Sequence, residues 1–218
     1  MVPLFISTLL GLRSIRMQWP APYKLFSVLL ICVSATEIFA VLWKYLPSII
    51  NGWRFSSSNL WIYNLFLIPQ YLLYFTVYHK LLQSTVMKRV IRIFCFVYVG
   101  FALFNMLYIQ SIYSVESLTL ILADSFVVFL TTVYFEQLRK QKEIIALTSE
   151  PMVWISLGAF IFHTVSLPYM IGLNFLNKVD ISLAIALFYI YMLLNFLMYS
   201  LYSIAFLCRR TPPKQLVL

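Results

Sequence analysis

Charge is scarce in this chain, and acid is scarcer still: 11% of its 218 residues are charged, with seven Asp or Glu against sixteen Lys or Arg. Soluble domains carry about 25% charged residues, so an ordinary water-facing globular surface is excluded. The five glycines form no Gly-rich run, which removes a nucleotide-binding loop. The three cysteines, Cys32, Cys95 and Cys208, lie inside or at the ends of apolar runs, with neither a disulfide framework nor a zinc spacing. The two histidines, His79 and His163, sit at different depths of different runs, so they supply neither paired haem ligands nor an HExxH metal site. No catalytic Ser motif occurs, and no lysine lies in the last apolar run to form a retinal Schiff base. No cofactor and no metal is implied.

What the chain has instead is apolar length. With 62% hydrophobic residues and a mean hydropathy of +0.90, it reads as an integral membrane protein with the lipid bilayer as its solvent. A hydrocarbon core of about 30 Å takes about 20 helical residues, and seven segments meet or approach that length. The expected fold is an all-α transmembrane bundle in a single domain, with spans over about 1–17, 23–46, 59–78, 90–109, 116–135, 152–175 and 181–207. The first is short and spans with Arg13 and Arg16 snorkelling. Pro20 and Pro22 are expected to end it, and Pro47, Asn51 and Gly52 to turn the chain after the second. Ser56 to Asn59 offer caps for the third, and Thr148, Ser149, Glu150 and Pro151 read as the start of the sixth.

Lysine and arginine fix the direction. With alternating spans, thirteen fall on one side (Arg13, Arg16 and Lys24; Lys80, Lys88, Arg89 and Arg92; Arg139, Lys140 and Lys142; Arg209, Arg210 and Lys214) and three on the other (Lys44, Arg54 and Lys178). Positive charge accumulates on cytoplasmic loops, which puts the C-terminus inside and the N-terminus outside. The net charge of +9 therefore belongs with anionic lipid heads rather than with nucleic acid.

Ionisable groups within spans cost about 2.5 kcal/mol or more near the membrane centre, so they face a protein interior or a wet cavity. Glu37, Asp124 and His163 fall at similar depth in the second, fifth and sixth spans, joined by Asn64, Gln70, Asn105 and Asn195. Ser117, Asp124 and Thr131 are seven apart and share one helix face. These residues are expected to line a polar cavity from the middle of the bundle into its outer half, open to a small ligand or to protons. Polar side chains also hold helices together, and for the asparagines that bland reading is favoured.

The layout carries a resemblance. A short first span, Glu37 in the second, a WIYN entry to the third at 61–64, a Pro-x-x-Trp start to the sixth at 151–154, and Asn195 in the seventh are similar to the uncharacterised seven-helix inner-membrane proteins found widely in Bacteroidota. The resemblance implies architecture and an inner-membrane location. The Pro69–Gln70 pair also occurs in the sugar transporters with a PQ motif, but its third-span position departs from their pattern. The first expectation for function is a receptor-like sensor whose basic inner loops, 81–92 and 137–150, contact a cytoplasmic signalling protein. The second is a small, proton-coupled secondary transporter gated at Pro69 and Pro168. A membrane-embedded enzyme comes third.

Overall fold

In the computed structural model, residues 2–17, 19–49, 58–140, 150–179 and 181–208 are described, and all regular structure among them is helical. The helices are α1 (Val2–Arg16), α2 (Ala21–Ile49), α3 (Leu60–Leu81), α4 (Thr85–Phe104, followed by a wide turn over Asn105–Ile109), α5 (Ser117–Lys140), α6 (Pro151–Val179) and α7 (Ile181–Cys208). Six of them, α2 to α7, are long and apolar enough to cross a bilayer, which makes this a multi-pass integral membrane protein. With 15 residues, α1 extends about 22 Å and is shorter than the rest.

Several helix ends differ from the sequence reading, each for a local reason. The second helix starts at Ala21, so Pro22 lies in its first turn, where a missing N–H is harmless; it then continues through Pro47 to Ile49. Ser84 caps α4 by accepting from the Met87 N–H at 3.3 Å, which moves that start back to Thr85. At the end of α5 the charged stretch after Phe135 stays helical: Glu136 pairs with Arg139 at 2.8 Å and Lys140 at 3.2 Å, one turn on. Asn59 does not cap α3 with its side chain and instead donates to the Ala40 carbonyl at 3.2 Å. The expected turn residues Asn51 and Gly52, the caps Ser56, Thr148 and Ser149, and the basic residues Arg54, Lys142, Arg209, Arg210 and Lys214 lie outside the described residues.

Side-chain bonds fix how the helices neighbour one another. Thr8 meets Ser34 and Ser14 meets Ser27, so α1 and α2 run antiparallel, and small residues let them approach closely. From α3 to the α5 region the contacts rise together, from Asn64 with Ser114, through Tyr71 with Asp124, to Gln83 with Gln137, so these two segments run parallel. Packing continues from α5 to α6, to α7 and back to α1, closing a ring, while α4 rests against α3 and α5. The core is aromatic: Phe26 meets the Tyr202 and Tyr74 rings edge-on at 4.9 and 6.0 Å, and Phe75 meets Phe126 at 5.1 Å. Arg13, Arg16, Lys24, Lys80, Lys88, Arg89, Arg139 and Lys140 all lie at or near one end of the bundle, where α1, α3, α5 and α7 end. Lys44 lies towards the opposite end.

Candidate functional site

Helical periodicity carries Asp124 inward. Ala123, Asp124, Val127, Leu130, Thr131 and Tyr134 are among the buried positions of α5 and recur three and four apart, and Asp124 is 2% exposed. On α6 the corresponding face holds Ile155, Ser156, Ala159, Phe162, His163 and Ser166. The two faces meet at the ionisable groups: His163 Nδ1 lies 2.7 Å from Asp124 Oδ1. Tyr71, from α3, donates its hydroxyl to the same carboxylate oxygen. Ser166, one turn beyond His163, donates to Asp124 Oδ2 at 3.1 Å. Two helices thus send three donors to one carboxylate, which satisfies its oxygens in a dry interior. Asp124 then takes the Nδ1 proton as an acceptor, and the imidazole Nε2 is left over. That nitrogen is buried and has no hydrogen-bond partner.

The surroundings are phenols and rings. Tyr71 donates to Asp124, while its neighbour Tyr74 meets the Tyr202 hydroxyl and Tyr98 of α4 donates to the Leu67 carbonyl at 3.2 Å. Tyr74 and Phe162 stand perpendicular to the imidazole, with ring centroids 5.7 and 5.1 Å from it. Between α6 and α7 a cleft of about 320 Å³ opens, walled by Pro168, Tyr169, Ile190, Tyr191 and Leu194. Ser166 lies in its lining, so the serine that bonds Asp124 also borders the cleft.

The other candidates from the sequence are elsewhere. Glu37 is half-buried on α2 and accepts from the Tyr63 hydroxyl at 2.9 Å; it bonds neither Asp124 nor His163. Gln70 and Asn195 are half-buried and join no hydrogen bond to the pair. Asn64 is buried and donates to the carbonyls of Ile112 and Ser114 at 2.6 and 2.7 Å, tying α3 to the connection before α5. Asn105 is fully buried where α4 widens, donating to Gln110 Oε1 at 3.0 Å and to Thr119 Oγ1 at 2.9 Å. The depth shared in sequence therefore separates into a central pair and a cluster at the bundle end where α4 ends and α5 begins.

Tyr71 and Ser166 carried no mark in the sequence as partners of Asp124. Ser166 was within reach of sequence reasoning, because it stands three residues from His163 and so on the same face. Tyr71 was not, since its meeting with Asp124 depends on how α3 rotates against α5. Among the described residues no three His, Cys, Asp or Glu side chains gather to hold a metal. No protein-family model, curated protein or solved structure matches this chain.

Proposed function

We propose that this protein is a seven-helix sensor of the inner membrane, in which protonation of the Asp124–His163 pair is the signal. The observation that carries the reading is the buried, unpartnered Nε2 of His163 behind a filled Asp124 carboxylate. A proton taken up there changes the pair from net negative to neutral and creates an N–H with no acceptor. Because a buried donor without a partner is costly, the protonated form favours a different seat for α6 or water drawn in past Ser166. Movement of α6 has an outlet at the basic end, where Tyr23 at the start of α2 donates to Glu150 just ahead of α6. On this reading α1 completes the seventh span, the N-terminus is outside, and the basic segments 81–92 and 137–150 meet a cytoplasmic signalling partner. The charge bias of thirteen to three supports that direction, and the similarity in layout to the Bacteroidota proteins supports the membrane.

A second reading, a proton-coupled secondary transporter, is favoured by the cleft that reaches Ser166, and by Pro69 and Pro168 inside α3 and α6. Each proline removes one backbone hydrogen bond within a few residues of Tyr71 or His163. Tryptophan fluorescence of the purified protein between pH 5 and 8, using Trp154 on α6, separates the outcomes. The expected result is a single titration that His163→Gln abolishes. Identical curves for the two proteins would sink the sensor, and proton-driven uptake into liposomes, lost in Asp124→Asn, would establish transport.

A further inference from the structure

The end of the bundle where α4 stops and α5 begins holds a second buried polar cluster with a different chemistry. Glu116, immediately before α5, and Asn105, at the end of α4, are both 0% exposed. They are joined through Thr119, which donates to Glu116 Oε2 at 3.2 Å and accepts from Asn105 Nδ2 at 2.9 Å. Two oxygens in this cluster, Glu116 Oε1 and Asn105 Oδ1, have no donor at all. The orientation of the asparagine is fixed by its neighbours. Gln110 Oε1 accepts the backbone N–H of Leu118 at 3.2 Å, so it must face Asn105 as an acceptor, and Asn105 must turn its amide N–H groups towards Gln110 and Thr119. Its oxygen is left pointing away from every donor. Rotating the amide would set its oxygen against Gln110 Oε1.

We propose that this cluster binds an alkali-metal cation, held between Glu116 Oε1 and Asn105 Oδ1. Two buried acceptors without donors, next to one carboxylate, need a positive partner, and among the described residues no lysine or arginine pairs with Glu116. The ligands on offer are all oxygens, from a carboxylate, an amide and hydroxyls, which select a hard cation. Among the described residues no three acidic, His or Cys side chains gather to hold a metal, and a single carboxylate matches one positive charge rather than two. The widened last turn of α4, closed by the Gln110 N–H on the Asn105 carbonyl at 2.8 Å, brings the negative end of that helix dipole to the same place. The site is separate from the Asp124–His163 pair and does not depend on it.

The test is thermal unfolding of the purified full chain in detergent at pH 7.5, in sodium or potassium chloride against choline chloride at equal ionic strength. One of the alkali cations is expected to raise the melting temperature saturably, by about 3 °C, over choline. Glu116→Gln removes the negative charge that attracts the cation and should erase the difference. Asn105→Asp adds a second negative charge and should lower the half-saturating cation concentration by about tenfold. Thr119→Val, which removes a neighbouring oxygen, should raise it, and serves if Glu116→Gln does not fold. His163→Gln should keep the full cation response. Equal melting in sodium, potassium and choline would overturn the proposal, even if acid stabilises the protein, because the missing partner would then be a proton on Glu116.

Discussion

Asp124 accepts from Tyr71, His163 and Ser166, so removing its carboxylate strands the Tyr71 hydroxyl and the His163 ring together, while Ser166 keeps the His163 carbonyl at 3.1 Å. Asp124→Ala is expected to cost about 3–5 kcal/mol, the range for breaking a buried pair from one side, whereas Tyr71→Phe, which deletes one donor, should cost about 1–2 kcal/mol. Unfolding of the purified protein in mixed micelles would rank the two, and equal losses would show that the tyrosine is more than one donor among three. Glu116 gives a signed pH dependence. Fully buried ahead of α5, its carboxyl is pushed up by burial from its ordinary value of 4.5, opposed in part by the Thr119 hydroxyl bond. The folded state then holds a proton that the unfolded chain has released. Stability from this group is full below 4.5 and is lost as pH rises through the raised folded value. In choline chloride, stability should therefore fall as pH climbs from 4.5, and Glu116→Gln should flatten that slope; a slope unchanged in the variant would assign it elsewhere. At this scale the sequence was legible where charge stood out: an acid and a histidine in apolar runs announce themselves. Asn64 and Asn105 were grouped with them by type, yet both bond the connection at one end of the bundle or the start of α5. Glu116 read only as the edge of a span, because nothing in sequence tells a capped, buried carboxylate from an exposed one.

Helix by helix, the closest approaches are made at glycine. A Cβ on Gly158 of α6 would stand 3.2 Å from the Tyr202 ring and 3.3 Å from the Met198 carbonyl of α7, so the two backbones meet where only hydrogen fits. Gly158→Val should push α6 from α7 and lower stability by about 1–3 kcal/mol, while Gly100→Ala, with open space around it on α4, should be neutral or stabilise by up to about 1 kcal/mol. The same micelle unfolding experiment reads both, and a tolerated valine at 158 would contradict the packing described. The seven apolar segments were legible as helices, because their length and composition leave no other structure stable in lipid. Their ends were less so. The Ser84 cap was visible in principle, but the turn of pairs around Glu136 and the widening after Phe104 depend on contacts outside each run.

Over the whole molecule, the distribution of basic residues makes a prediction about direction. A reporter fused after Leu218 should be active in the cytoplasm, and one placed before Met1 should be active outside; a C-terminal signal outside would reverse every span. Which helix touches which was not legible, and the reason is the solvent. Lipid-facing and protein-facing positions are equally apolar, so little periodic contrast marks the inner side of a span. Only the polar positions, such as Ser14 with Ser27 or Tyr78 with Ser156, record the neighbours, and they do so in pairs that a single segment cannot reveal.

The place of α4 has a consequence for how the polypeptide can be made. Its outer surface is open, with Phe96 82% and Tyr108 76% exposed, and the ring of α1, α2, α3, α5, α6 and α7 closes without it. The strand of chain that joins the first three helices to the remainder passes only through the short connection at 82–84. Peptide continuity there serves synthesis more than cohesion. Two separate polypeptides, 1–83 and 84–218, each able to insert its own helices, should find one another in the bilayer and purify as a complex, joined where α1 meets α7 and where α3 meets α5. Asp124→Leu in the second piece should then weaken their association without abolishing it, because the α1–α7 seam still closes the two halves of a divided gene into one bundle.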